Sequence, residues 1–362
     1  MLNKKEFDYL GITKFHEKGY KGSNIYIASK EDVLEGVFDD VECRDPFLEK
    51  SDNAEHGTSV MDFIRQVLPD AKKLATGLNG KVTKGIWYCE DMDELLRNPP
   101  DILTSSNYSS SDSEESHMSK YRELKEKGCF LISGAGNNGT KGVLDMVKND
   151  VFIAVGACRF KGDELEKTTA SSEGIELDFM SLDNLVAAWN GQKKKGTSFA
   201  APVFAAMCGL VQEFFYMNTG SKLTHEKLIE FIKDNCVDLN EKGFDVKTGY
   251  GIFILPDPDS IDVTKYADEE FIKIWEDVLE NRNDSEEGGT KEMENTEVRY
   301  KYLKDIPEGE FHDVIEFMIE NKYINGFNAA EDIEETEVDL SLDMVRMFVI
   351  NFRAGLYKEI GG

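Results

Sequence analysis

Three short segments carry residue types able to attack a carbonyl and move protons. Gly196-Thr197-Ser198-Phe199-Ala200-Ala201-Pro202 sets a serine among small residues and runs into Val203 to Val211, an apolar stretch that reads as a buried helix. A hydroxyl at the start of such a helix feels the positive end of its dipole, and the nearby proline costs little there. Read alone, it is either a nucleophile or the capped start of a packing helix. Glu55-His56-Gly57-Thr58-Ser59-Val60 puts a histidine at the beginning of a helix, where by itself it reads as a capping residue. Ser133-Gly134-Ala135-Gly136-Asn137-Asn138-Gly139 follows a buried strand, with glycines that let a ligand approach and an asparagine that tolerates positive φ.

The elements that must position these residues alternate. Short apolar runs near 25–28, 74–77, 101–104, 129–133 and 151–155 read as buried strands of a parallel sheet. Helical patterns at Thr58 to Leu68, Met92 to Arg97, Met118 to Lys127 and, behind a capping Thr224, 225–232 lie between or after them. The expectation is an α/β layered domain whose functional groups gather at the carboxyl ends of the strands.

Composition narrows the partners. The 362-residue chain carries 42 Lys and Arg against 70 Asp and Glu, a formal charge of −28, which argues against nucleic acid and anionic membrane surfaces. Lys193-Lys194-Lys195 is a local basic patch within that acidic whole. The six cysteines include no C-x-x-C pair, and no apolar run near the N-terminus has the length of a signal peptide, so a reducing cytoplasmic setting is expected.

Taken together, in this order, the segments resemble the subtilisin-like serine proteases, the subtilase family. His56-Gly57-Thr58 is similar to the family's HGT motif, Ala135-Gly136-Asn137 to its AGN motif, and Gly196 to Pro202 to GTSxAxP. Val67 to Lys72, Val151 to Ala157 and Gly249-Tyr250-Gly251 resemble further family segments, so the likeness covers roughly residues 10–255. It implies a three-layer fold with a parallel sheet and a serine endopeptidase acting on protein or peptide substrates. Ser198 is then the nucleophile, His56 the base, and the Asn137 amide with the Ser198 N–H the oxyanion hole. Ser106, Tyr108 and Gly134 are the expected substrate-binding positions.

The departures from the family pattern are specific. The family's first motif ends a strand in aspartate; in Gly22 to Lys30 that place falls to Ser29. Glu31, Asp32 and Asp52 are the carboxylates that remain to orient His56, and spacing selects none of them. Ser106-Asn107-Tyr108 stands where the family has a Ser-Leu-Gly-like strand, and Met180-Ser181-Leu182 where Ala-Pro-Gly is usual. Calcium sites are common in that family, but no ligand set matches here, so no cofactor or metal is assigned and calcium stays open. The second reading is a pseudoprotease that keeps the fold as a binding protein, or a protease completed by a partner.

Beyond the enzyme-like region, expected at 1–265, an acidic linker is expected at 266–298 and a small helical module at 299–362. Phe311 to Ile319 and Leu342 to Tyr357 read as amphipathic helices, suited to docking or self-association, with a faint likeness to one S-layer-homology repeat.

Overall fold

The computed structural model describes residues 2–44, 52–76, 89–107, 115–267, 299–305, 315–316, 319 and 337–341. The chain divides into two units, one of Met1–Phe214 with Thr224–Ile261, the other of Phe215–Leu223 with Asp262–Gly362.

In the first unit a ten-stranded sheet forms the centre. Its strands are β1 (Tyr26–Ser29), β2 (Glu42–Cys43), β3 (Lys72–Ala75), β4 (Ile102–Ser105), β5 (Phe130–Gly134), β6 (Ile153–Lys161), β7 (Glu164–Lys167), β8 (Phe179–Leu182), β11 (Cys236–Val237) and β12 (Ile252–Phe253). A hairpin of β9 (Leu185–Val186) and β10 (Lys193–Lys194) stands apart from it. The sheet order is β11-β12-β8-β6-β5-β4-β1-β3-β2, with β7 paired to β6. From β2 to β12 the neighbours run parallel, while β7 and β11 pair antiparallel. Burial along β4 and β5 is continuous, as the unbroken apolar runs required.

Strands β1 and β4 are neighbours, yet the chain leaves β1 toward β2 and leaves β4 toward β5. Loops diverging in opposite directions open a crevice at the carboxyl ends of the two strands. The loops after β1 and β4 therefore form its floor.

The helices are α1 (Lys4–Tyr9), α2 (Ile12–Glu17), α3 (Asp52–Val67), α4 (Cys89–Arg97), α5 (Glu115–Glu126), α6 (Thr197–Thr219) and α7 (His225–Asp234). Helix α3 starts earlier than the apolar pattern suggested, because polar Asp52 to Glu55 form its first turn. This places His56 in the second turn rather than at the cap. Thr224 caps α7, its hydroxyl accepting from Lys227 N at 3.3 Å. Helix α6 is long and apolar enough to cross a membrane by composition, but 94% of that apolar window is buried inside the protein. It packs Phe204 on Phe179 of β8 and touches α3 through Phe199 and Phe63. Gly209 lets the helix pack closely: a Cβ there would meet Leu68 Cδ1 at 2.6 Å and force that side chain to move.

Two buried polar devices join α6 to the sheet. Glu213 lies within the core and accepts from Gly22 N at 2.6 Å, Ser23 N at 2.7 Å and Ser23 Oγ at 2.8 Å, holding the turn that enters β1. Pro202 sits inside α6 and supplies no N–H to the Ser198 carbonyl one turn before it. That carbonyl accepts instead from Ser106 Oγ at 2.7 Å.

In the second unit, β13 (Arg299–Tyr302) pairs antiparallel with β14 (Glu337–Ser341). These strands were not expected in a helical module. Ile315, Glu316 and Ile319 are helical, within the expected first helix; the rest of that segment and Leu342 to Tyr357 lie outside the described residues, as do residues 268–298 of the expected linker.

At the amino ends of the strands, away from the crevice, Asp178 precedes β8 and accepts from Ala154 N at 2.8 Å. Burial raises its pKa to about 6, against which the Ala154 bond works only in part. The folded state thus holds this proton more tightly than the unfolded chain, and stability declines as pH rises from about 4 to 6. Asp178→Asn should remove that decline, leaving the variant about 2–3 kcal/mol more stable than the parent near pH 7; urea titrations at pH 4 and 7 measure it.

Candidate active site

The loop after β1 holds the key carboxylate. Ser29 ends the strand with a buried hydroxyl that has no hydrogen-bond partner among the described residues, and Glu31 follows two residues later, completely buried. Glu31 Oε2 lies 3.1 Å from His56 Nδ1. Its other oxygen accepts from Ser106 N at 2.9 Å, and Asn107 Nδ2 donates to Oε2 in a short contact. These donors suit an ionised carboxylate, so the shared proton belongs on Nδ1 and His56 Nε2 is left as the basic nitrogen.

Local sequence explains why this loop reaches the helix. Gly57 lacks the Cβ that would strike Asp32 O at 2.0 Å and Glu31 Cβ at 2.9 Å. Thr58 Oγ1 accepts from Leu34 N at 3.0 Å while donating to Ala54 O at 2.6 Å. The HGT triplet therefore does three tasks: it carries the imidazole, removes the obstacle beside it, and ties down the carboxylate loop. Of the three carboxylates that spacing left open, Glu31 is the one beside His56. Asp32 is buried with its carbonyl over Gly57, and Asp52 is exposed at the first position of α3.

Ser198 opens α6, so its Oγ stands at the positive end of a long helix. The hydroxyl donates to Ser106 O at 3.4 Å, and among the described residues it makes no hydrogen bond to His56. Phe199 places its ring 5.1 Å from the imidazole. Asn137, exposed after β5, accepts from Thr197 N at 3.1 Å through Oδ1, which commits the amide oxygen and leaves the Nδ2 hydrogens as donors. Thr197 Oγ1 in turn accepts from Gly136 N at 3.2 Å. Gly134 backs the same residue, since a Cβ there would lie 3.0 Å from Thr197 Oγ1.

Asp183 anchors the residue before the nucleophile turn. It is buried, accepts from Gly196 N at 2.7 Å and from Arg159 Nη2 at 2.6 Å through one oxygen, and burial raises its pKa. The other oxygen, Oδ1, has no partner among the described residues.

His56, Ser198, Asn137, Ser106 and Gly134 thus meet at the carboxyl ends of β1, β4 and β5, whereas Tyr108 lies outside the described residues. Sequence reasoning missed Asn107 and Asp183. Asn107 carries no motif of its own; its only signal was standing beside Ser106. Among the described residues, no group of His, Cys, Asp and Glu is arranged to hold a metal.

Among curated proteins no sequence matches the chain. Solved structures do. The prenylagaramide maturation protease PagA has a TM-score of 0.56 at 17% identity, covering 68% of this chain and 97% of that one. The PatG macrocyclase, solved with a peptide, has a TM-score of 0.56 at 14% identity over 70% and 96%. MycP1 from Mycobacterium smegmatis has 0.53 at 17% identity over 71% and 85%. At such identities these likenesses speak for the fold. The family model described as "Subtilase family" matches residues 39–251, a span holding the histidine, asparagine and serine motifs, and the chain belongs to that family.

Proposed function

We propose that the chain is a serine endopeptidase of protein or peptide substrates, with Ser198 as nucleophile, His56 as general base and Glu31 as the carboxylate that orients it. The observation carrying this reading is the buried Glu31 carboxylate 3.1 Å from His56 Nδ1. A fixed Nδ1–H leaves Nε2 to take the Ser198 proton once the hydroxyl turns from the Ser106 carbonyl. The Asn137 amide and the Ser198 N–H stabilise the oxyanion, and His56 returns its proton to the departing amine. The names of the structural neighbours, a maturation protease and a peptide macrocyclase among them, fit a peptide substrate. Free Cys43, Cys129, Cys158, Cys208 and Cys236 fit a reducing compartment.

The second reading, a protease held inactive until a partner acts, draws on the Ser198 hydroxyl being engaged by Ser106 O at 3.4 Å. One experiment separates the two. A fluorophosphonate probe should label the purified protein and fail on Ser198→Ala. Labelling only after a partner is added would favour the second reading, and no labelling under either condition would leave a binding protein.

Two substitutions grade the roles. Glu31→Gln keeps shape but loses the charge behind His56, and kcat on a peptide substrate should fall about 10⁴-fold with little change in KM, while Asp52→Ala stays near parental activity. Asn137→Ala should lower kcat by about 10²–10³, the range measured for an oxyanion donor in a subtilisin.

A further inference from the structure

We propose that the Lys193–Lys195 edge selects acidic residues on the leaving-group side of the scissile bond, an inference that rests on the protease reading of Ser198. The chain carries a formal charge of −28, yet from Asn184 to Gln212 it has no acidic residue and one run of three lysines. Lys193 and Lys195 are exposed, and Lys194 Nζ contacts only the neutral Gln192 Oε1 at 3.4 Å. Among the described residues none of the three forms an ion pair. Other surface lysines do so, as in Lys5 with Asp163, Lys14 with Asp257 and Lys18 with Asp259. The acidic group nearest this edge is the buried Asp183, which Lys195 shares with Arg159, so the exposed lysines still leave a local positive field on an acidic protein.

Its position gives the field a purpose. Lys195 stands three residues before Ser198, so the two Cα atoms lie within about 11 Å, close to one screening length. The lysines are held on a fixed element. Trp189 Nε1 donates to Ser59 Oγ at 3.0 Å, Ala188 N to Asp62 Oδ2 at 2.5 Å and Gln66 Nε2 to Val186 O at 3.2 Å, clamping the β9–β10 hairpin along α3; Lys193 pairs with Val186, and Lys195 leads back toward Ser198. Ser106 defines the other flank, bonded to both the Ser198 hydroxyl and carbonyl. In acyl transfer the departing amine takes its proton from the histidine, so the leaving segment exits on the His56 flank, where the hairpin runs. An acidic residue shortly after the scissile bond would meet the lysines there, and a basic one would be repelled.

The test has a binding arm and a transfer arm. On Ser198→Ala protein at low salt, fluorescence anisotropy compares Gly-Asp-Asp-Asp, Gly-Asn-Asn-Asn and Gly-Lys-Lys-Lys peptides. The acidic peptide should bind about tenfold more tightly than the neutral one. Lys193→Glu with Lys195→Glu should erase that preference, and Lys141→Glu, an exposed control, should keep it. In the transfer arm, Ser198 is acylated by an activated ester and the same peptides compete with water as amine nucleophiles. The new C–N bond forms as the bond from Ser198 Oγ to the acyl carbon breaks, and His56 carries the amine proton to Oγ. The acidic amine should capture the acyl group about tenfold better than the neutral one. Equal capture, or a preference untouched by the lysine substitutions, overturns the proposal. If no acyl-enzyme forms while the binding preference holds, the protease reading fails and the charge selection stands.

Discussion

Everything around His56 depends on one buried carboxylate. Taking Glu31 out of water is costly unless its oxygens are met by donors, and the fold meets them with Ser106 N–H, the Asn107 amide and His56 Nδ1. The donors come from two segments: the edge beyond β4 supplies the first two and α3 the third. The same contacts that make the charge tolerable therefore draw β1, β4 and α3 into register at the crevice. The carboxylate beside His56 thus comes from two residues past the strand end, not from position 29 at its close.

Buried carboxylates recur as organisers of backbone in this protein. Asp183 receives Gly196 N–H ahead of the nucleophile, Asp62 receives Ala188 N–H in the hairpin, and Glu213 receives Gly22 and Ser23 N–H before β1. Each satisfies amide groups in irregular loops that no strand or helix could pair. An acidic composition is thus partly an interior feature, and the −28 charge is not only a solvated surface.

Much of the fold was legible in the sequence because parallel strands buried on both faces write themselves as apolar runs, and β1, β4, β5 and β6 did so. That Ser198, His56 and Asn137 belong to one site was legible from glycine-flanked motifs whose backbone demands leave little freedom. Glu31 could be listed but not chosen, because choosing it requires knowing that Gly57 lets the loop close on the helix. Asn107 and Asp183 act across 76 and 13 residues of chain, and side-chain partners at such separations leave no local pattern. The start of α3 was missed because its first turn is polar and its apolar face begins only afterward. The strand pair of the second unit joins segments far apart in sequence, which periodicity cannot link.

The proline of α6 has a consequence for how this sequence can vary. By withholding an N–H from the Ser198 carbonyl, Pro202 obliges the strand edge to supply another donor, and the Ser106 hydroxyl does so. The two positions are thereby coupled across almost a hundred residues. A relative that keeps the proline needs a hydroxyl or other donor at the strand edge, whereas one that replaces it with a residue bearing an N–H restores the helical bond and frees that position to drift. Covariation between these sites would therefore record backbone bookkeeping at the nucleophile rather than a preference for substrate.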